Sequence, residues 1–153
     1  MDRDFLLQVQ EWTKQELERC ISFWLKNGID KVNGGVYTCL DREGKIFSTD
    51  KSVWMQGRCG WIFAYLCKVY GVRDEWLEAS RSCLDFMEKY CINRDSGDRM
   101  YFTVTADGRE LQKRRYYFSE TFAAIGCAEL YKATGDKQVL ESAEKYFNVA
   151  YEC

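Results

Sequence analysis

The sequence predicts an all-α fold in which pairs of helices stack into part of an α-α toroid. Two observations lead to this prediction. Five segments repeat apolar residues at three- and four-residue steps, the pattern of amphipathic helices. After the first helix the pattern recurs with a shift of 64 residues, which lays Gly44 on Gly108 and Gly71 on Gly135. Because a hairpin with two helices cannot cover its own apolar faces, such units must stack on neighbours.

The first helix is predicted over residues 4–26, where one stripe carries most of the apolar side chains. The stripe consists of Leu6, Val9, Trp12, Leu17, Cys20, Ile21 and Trp24. This pattern is typical of an amphipathic helix.

Each repeat is predicted to contain a hairpin and two helices. The first has a hairpin around the DREG turn, a helix over residues 52–70, a stop at Gly71 and a helix capped by Asp74. The second has a hairpin around the ADG turn, a helix over residues 119–133, a stop at Gly135 and a helix capped by Asp136. Between the repeats, the NRDSGD segment is predicted to be a loop.

The repeat length indicates how much of a ring this chain can form. Six pairs of 64 residues would need roughly 380 residues, and the chain has 153. The chain is therefore predicted to be one part of a single barrel domain, residues 1–153, with no internal domain boundary.

Composition excludes several classes of partner. The net charge is only -2, so no strong field attracts nucleic acid or an anionic membrane. The short run Lys113–Arg114–Arg115 is interpreted as a solvated loop edge. No segment has the roughly 20 apolar residues that span a bilayer, and the charged N-terminus does not resemble a signal peptide. We expect a soluble, cytoplasmic protein.

The eight cysteines are predicted to be free, buried thiols in a reducing cytoplasm. They form no CxxC pair, and the chain contains no histidine. We therefore expect no metal site, and nothing in the sequence implies a cofactor. The NRDSGD segment also lacks the spacing of a calcium loop.

Arg58 is the first candidate functional residue. On a helix it lies four residues after Trp54 and three before Trp61, which places a guanidinium on an aromatic stripe. A desolvated charge needs a partner, so two interpretations remain open. Arg58 either binds an anionic or polar ligand, or forms an internal salt bridge while stacked on a tryptophan.

The 64-residue shift lays Gln56 on Glu120, so both repeats carry a polar residue at this position. Glu120 shares a face with apolar residues, where an unpaired carboxylate is costly. It could instead be a helix-start acid that follows Ser119 as the cap. Tyr117 and the aromatic residues beside it either line a sugar site or belong to the core.

Three motifs in order, GGVYTCLDREG, DKSVWMQGR and RRYYFSETFAA, resemble the N-terminal portion of the N-acylglucosamine 2-epimerase family. That family includes cellobiose 2-epimerases and has also been described as renin-binding protein. The resemblance implies an (α/α)6 barrel that removes and returns the proton at C2 of an open-chain sugar through an enediolate. It also implies that Arg58 stabilises the oxyanion as a catalytic residue, and that Trp54, Gln56, Tyr117 and Glu120 shape the substrate cavity.

The family's paired catalytic histidines have no counterpart here, because the chain has no histidine. We therefore expect an incomplete sugar 2-epimerase that does not turn over by itself. Two alternatives remain: a glycosidase or lyase on a similar toroid, which needs two carboxylates, and a non-catalytic interaction module. An incomplete ring could also form a homo-oligomer or associate through its open edge.

Overall fold

A computed structural model describes residues 2–113 and 116–152. Two arginines of the basic run, Arg114 and Arg115, and the last cysteine, Cys153, lie outside these residues. The described chain has five helices: α1 (Arg3–Asn27), α2 (Val53–Tyr70), α3 (Asp74–Tyr90), α4 (Phe118–Thr134) and α5 (Lys137–Tyr151). The predicted five-helix, mainly α architecture is confirmed.

Short antiparallel strands connect the helices. They are β1 (Cys39–Leu40), β2 (Ile46–Ser48), β3 (Lys51–Ser52), β4 (Ile92–Asn93), β5 (Arg99–Met100), β6 (Thr103–Val104) and β7 (Glu110–Gln112). Strand β1 pairs with β2, β4 pairs with β5, and β6 lies between β3 and β7. The β3–β6 pairing joins the two repeats. The hairpins β1–β2 and β6–β7 confirm the predicted pair.

The glycines of the two predicted hairpin turns have the expected conformation, but the segment between the repeats differs from the prediction. Gly44 and Gly108 both have positive φ, 86° and 90°, a conformation that a side chain would strain. The NRDSGD segment, however, is not a plain loop. It forms the β4–β5 hairpin, with a 3-10 turn at Arg94–Ser96 and positive φ at Gly97 and Asp98.

The two predicted aspartate caps have different outcomes. Asp136 caps α5, and its side chain accepts a hydrogen bond from the backbone N–H of Gln138. Asp74 does not cap α3, because the helix already begins at Asp74 and Arg73 occupies the cap position. Asp74 instead lies in the first turn, where a negative charge favours the positive end of the helix dipole.

Helices α2 and α4 approach each other closely. A Cβ added at Gly57 would lie 2.7 Å from the carbonyl carbon of Phe122, and one added at Gly126 would lie 3.0 Å from the Gly57 carbonyl oxygen. Helix α3 packs on the other side of α2, where the Ser80 hydroxyl donates a 2.7 Å hydrogen bond to the Gly60 carbonyl. Glycine is therefore required where the helix backbones meet.

The apolar stripe of α1 is only partly buried. Ile21 is buried and packs with residues of α2 and α3. Leu6, Val9 and Trp12 remain 46%, 41% and 61% exposed. The sequence pattern identifies the apolar face correctly, but no described element covers its N-terminal half.

The described cysteines are all free, and four of the seven are buried. Burial, with the nearby charges of Glu88 and Asp85, raises the pKa of Cys127 to about 12. Such thiols are inert at neutral pH. None of the helices in the described ranges is long and apolar enough to cross a membrane.

A buried ion pair holds the segment between α1 and β1. Lys51 Nζ donates 2.7 Å hydrogen bonds to Asp30 Oδ2 and to the Gly34 carbonyl, and both charged side chains are 0% exposed. The ammonium also lies 4.1 Å from the ring centroid of Phe86. Because a buried charge without its partner is costly, the pair fixes this segment against the rest of the fold.

The hydrogen bonds of Asp30 determine its ionisation. Burial alone raises the pKa of Asp30, but hydrogen bonds from Lys51, Asn33 and Val32 outweigh it and lower the pKa from 3.8 to about 2. The folded state therefore favours the ionised carboxylate. This contribution to stability is complete above the unfolded pKa of about 4 and is lost as the pH falls through 2.

We predict that acid weakens this fold partly through Asp30. Between pH 5 and pH 2.5 its protonation should lower the free energy of unfolding by about 1.5 kcal/mol. Urea unfolding at both pH values should show a smaller acid loss in the paired variant Asp30→Asn with Lys51→Met. The surface variant Asp50→Asn should keep the full loss. An unchanged acid loss in the paired variant would contradict the assignment.

Candidate active site

An open cavity of about 530 Å³ lies along α2, between α1 and α4. Its wall is mainly apolar and includes the segment Val36–Thr38. Arg58 is the one charged side chain among the described residues that line it. The cavity therefore combines apolar walls with a single fixed positive charge, an arrangement suited to a small polar ligand.

The surroundings of Arg58 differ from those that the sequence predicts. It is exposed rather than desolvated, and no carboxylate in the described ranges forms an ion pair with it. Its guanidinium carbon lies 5.5 Å from the ring centroid of Phe122, so its aromatic neighbour is a phenylalanine of α4 and not a tryptophan. The internal salt bridge, one of the two open interpretations, is absent from the described structure.

An aromatic cluster connects Arg58 to two other predicted residues. The Trp54 ring packs edge-on against Phe102 and Phe118, with centroid distances of 5.0 and 5.1 Å, and lies 6.3 Å from Phe122. Tyr117 lies at the exposed edge of the cluster, 5.2 Å from Phe118. Through Phe122, the structure therefore brings Arg58, Trp54 and Tyr117 into one continuous surface.

Gln56 is buried and fully engaged with the backbone of Val36. Its Oε1 accepts a 2.8 Å hydrogen bond from the Val36 N–H, and its Nε2 donates a 2.7 Å hydrogen bond to the Val36 carbonyl. Val36 itself lines the cavity. Gln56 therefore acts on the cavity by holding its wall, because both polar atoms of the side chain are already satisfied.

Glu120 is held in an equivalent way. Its Oε1 accepts hydrogen bonds from the Met100 N–H at 2.9 Å and from Arg99 Nε at 2.6 Å. The side chain is 0% exposed. The alternative in which Ser119 caps the helix is wrong, because Tyr117 occupies the cap position and the Ser119 hydroxyl donates to the Tyr101 carbonyl.

The Gln56–Val36 and Glu120–Met100 contacts are related by the 64-residue repeat. The shift that lays Gln56 on Glu120 also lays Val36 on Met100, so each repeat uses one helix side chain to hold one backbone residue. A carboxylate cannot donate, and Glu120 Oε2 has no hydrogen-bond partner among the described residues. Arg99 supplies the compensating charge in the second repeat.

Sequence reasoning missed Phe122, which joins the aromatic cluster to Arg58. The repeat could have indicated this residue, since the 64-residue shift lays Arg58 on Phe122.

Neither Asp nor Glu occurs among the described residues that line the cavity, so the carboxylate pair of a glycosidase is not seen there. No group of three histidine, cysteine or acidic residues in the described ranges could hold a metal ion.

We predict that Gln56→Ala lowers the free energy of unfolding by about 2–4 kcal/mol, because two buried backbone groups lose their partners. Gln56→Glu should cost at least as much, since an uncompensated buried carboxylate would face the Val36 carbonyl, which also loses its donor. Gln138→Ala, on the exposed face of α5, is the matched control and should change stability by less than about 0.5 kcal/mol. Urea unfolding measures all three, and equal stability of Gln56→Ala and the control would contradict the contact's importance.

Sequence comparison with known proteins finds matches among sugar 2-epimerases. A sequence profile of the N-acylglucosamine 2-epimerase family matches residues 35–152. The N-acylglucosamine 2-epimerase of Mus musculus is 38% identical over 133 residues, which is 84% of this chain and 32% of the mouse protein. The cellobiose 2-epimerase of Bacteroides fragilis is 24% identical over 140 residues, 91% of this chain and 35% of that protein. The chain thus spans about a third of these relatives.

Solved structures show the same fold. The cellobiose 2-epimerase of Spirochaeta thermophila superposes with a TM-score of 0.83 at 24% identity, covering 98% of this chain and 37% of that one. A sugar epimerase from a ruminal bacterium gives a TM-score of 0.74 at 27% identity, covering 84% of this chain and 32% of that one. The predicted partial (α/α)6 barrel is confirmed. The chain belongs to the N-acylglucosamine 2-epimerase family.

Proposed function

We propose that this chain supplies the substrate-orienting part of a sugar 2-epimerase, an isomerase of the N-acylglucosamine 2-epimerase type. The position of Arg58 carries the proposal. It is the single charged side chain among the described residues of the cavity wall, and no described carboxylate neutralises it. The substrate class is a small sugar with a free carbonyl carbon, as the names of the relatives suggest.

The chemistry explains why an arginine suits this place. After the sugar ring opens, the proton at C2 is acidic because the neighbouring carbonyl can take up the negative charge as an enediolate. A guanidinium stays protonated at any working pH and offers several N–H donors in a planar fork. Arg58 would stabilise the oxyanion electrostatically. Phe122, which lines the cavity, would pack against the apolar C–H face of the sugar, and Trp54 and Tyr117, outside the cavity wall, would extend this aromatic surface.

Gln56 and Glu120 would shape the cavity indirectly. Gln56 holds Val36 in the cavity wall, and Glu120 holds Met100 in the hydrophobic core. Neither side chain lines the cavity. They are therefore positioning residues in this proposal, whereas Arg58 is the group that contacts the substrate.

Proton transfer is assigned to residues outside these 153. Returning the proton to the opposite face of C2 requires two acid/base groups. The chain has no histidine, Arg58 cannot act as a base, and Glu120 is fully buried against Arg99. The sugar-binding and proton-transferring functions are thus proposed to reside in different parts of the ring.

The remaining parts of the proposal concern the cellular location of the protein and its association with other polypeptides. The free thiols of the described chain suit a reducing compartment, so we assign the protein to the cytoplasm. The sugar epimerases among its relatives support a role in carbohydrate metabolism. The exposed apolar residues beside the cavity support association through the open edge of the ring. Neither assignment affects the sugar chemistry.

We predict that the chain binds N-acetylglucosamine or cellobiose weakly and that Arg58→Ala reduces this affinity about tenfold or more, since a charged hydrogen bond is lost. Saturation-transfer NMR with each sugar measures the effect. Arg73→Ala is the matched control, because Arg73 also stacks on an aromatic ring, Trp76, but lies outside the cavity wall. Equal signals from both variants would refute the role of Arg58.

We also predict that these 153 residues alone catalyse no epimerisation, because the acid/base pair is missing. The chain is incubated with N-acetylglucosamine in deuterated water, and NMR follows exchange of the C2 proton. The expected exchange equals that of buffer. Exchange above buffer that disappears in Arg58→Ala would show that the chain carries its own base and would contradict the division of roles.

A further inference from the structure

Two cysteines lie where helices α2 and α3 cross. The crossing is close, because the Ser80 hydroxyl donates a 2.7 Å hydrogen bond to the Gly60 carbonyl. A Cβ added at Gly60 would lie 3.5 Å from the Ser80 carbonyl oxygen. Cys59 precedes Gly60 on α2, and Cys83 lies three residues after Ser80 on α3. Both thiols therefore belong to the region where the two helix backbones approach each other.

The two thiols contact each other but differ in exposure. The Cys83 thiol donates a hydrogen bond to Cys59 and is 0% exposed. Cys59 is only partly buried and lines the open cavity. The hydrogen bond with Cys59, followed by burial, raises the pKa of the Cys83 thiol well above its ordinary value. Cys83 is therefore held as a neutral thiol beside a sulfur that faces the cavity.

The helix packing does not require this pair of sulfurs. The 64-residue shift lays Cys59 on Ala123 and Cys83 on Phe147, so the second repeat forms the equivalent helices without either thiol. The buried Cys91, by contrast, directs its thiol to a backbone carbonyl. The sulfur pair is therefore an addition to the first repeat and not part of the packing that the two repeats share.

The environment of Cys59 suits a thiol that reacts with oxidants. Reactive cysteines are partly exposed and lie in electropositive surroundings. Arg58, the neighbour of Cys59 in the sequence, is the single charged side chain among the described residues of the cavity wall. The cavity of about 530 Å³ is open, so a molecule as small as hydrogen peroxide has access to Cys59.

We propose that Cys59 and Cys83 form a peroxide-sensitive site, in which the cavity-facing thiol is oxidised and the buried thiol then forms a disulfide with it. The Cys59 sulfur attacks one oxygen of hydrogen peroxide, and the O–O bond breaks. The second oxygen takes the Cys59 proton and leaves as water, and Cys59 becomes a sulfenic acid.

The second step joins the two helices. The Cys83 sulfur attacks the Cys59 sulfur, the S–O bond breaks, and the departing hydroxide takes the Cys83 proton and leaves as water. The two thiols together lose two electrons and two protons, and one hydrogen peroxide becomes two waters. Disulfides need Cα atoms within about 7 Å of each other, and the close α2–α3 crossing favours this approach.

The site is separate from the proposed function, because no sugar takes part in its chemistry. In a reducing compartment, disulfides are typically transient and report oxidants. Cellular thiols would reduce the Cys59–Cys83 bond again and return the chain to the free-thiol state. The pair therefore makes the α2–α3 crossing a reversible record of peroxide exposure.

The test uses the reduced chain and hydrogen peroxide alone. After brief exposure at neutral pH, the remaining thiols are alkylated and the chain is digested with trypsin without reduction. Cys59 lies in the tryptic peptide 59–68 and Cys83 in the peptide 82–89. Tandem mass spectrometry distinguishes Cys59 from Cys67 within the first peptide. The expected result is a Cys59–Cys83 disulfide that dithiothreitol removes.

Two variants separate the roles of the thiols. Cys83→Ala should form no disulfide and should accumulate a sulfenic acid at Cys59, which dimedone labels. In Cys59→Ala, Cys83 should stay unlabelled, because it is 0% exposed. Cys20→Ala is the matched control, since Cys20 is exposed and lines the same cavity. This control should leave the yield of the Cys59–Cys83 disulfide unchanged.

Three results would overturn the proposal: free thiols at both Cys59 and Cys83 after peroxide treatment of the wild-type chain, a disulfide from Cys59 to Cys20, or dimedone labelling of Cys83 in Cys59→Ala. Circular dichroism checks that each variant keeps the helical content of the wild type. The second repeat already has alanine, Ala123, in the place of Cys59, so Cys59→Ala should fold. If Cys83→Ala does not fold, the disulfide mapping of the wild-type chain still decides the proposal.

Discussion

The contact between α2 and α4 determines most of what this structure can do. Gly57 meets the backbone of Phe122 so closely that no Cβ fits between them. This approach turns the Phe122 ring toward Arg58 on one side and Trp54 on the other. The candidate site is therefore a product of helix packing, and a larger residue at Gly57 would separate the groups that it brings together.

A buried side chain and a cavity-facing one lie on the same turn of α2. Gln56 points into the protein and holds Val36, whereas Arg58, two residues later, points into the open cavity. The second repeat keeps the internal role with Glu120 and replaces Arg58 with Phe122. The same scaffold thus carries a cation in one repeat and an aromatic ring in the next, which makes the cavity wall asymmetric.

Local features of this fold could be predicted from sequence, and long-range ones could not. Helix boundaries, both hairpins and the Asp136 cap follow from periodicity, glycine and capping chemistry within a few residues. Asp74 failed as a cap because its helix begins one residue earlier than the pattern indicates. The Lys51–Asp30 pair spans 21 residues and has no characteristic spacing. Local sequence patterns do not specify such a partner.

The candidate site was predictable only where it depends on local sequence patterns. The sequence singles out Arg58 because a charge on an aromatic stripe is unusual, but it does not specify that Arg58 is exposed in an open cavity. Conversely, the internal role of Gln56 depends on Val36, 20 residues away. The sequence therefore singles out candidate positions, but it does not specify the surroundings of each side chain.

The most direct test of this account is chemical-shift mapping with the isotope-labelled chain and N-acetylglucosamine. The account predicts that the largest shifts occur at the Arg58 Nε–H and the Trp54 indole N–H. It would be contradicted if these signals stayed unchanged while shifts appeared at a second groove, which is lined by Asp30, Glu75 and Glu78.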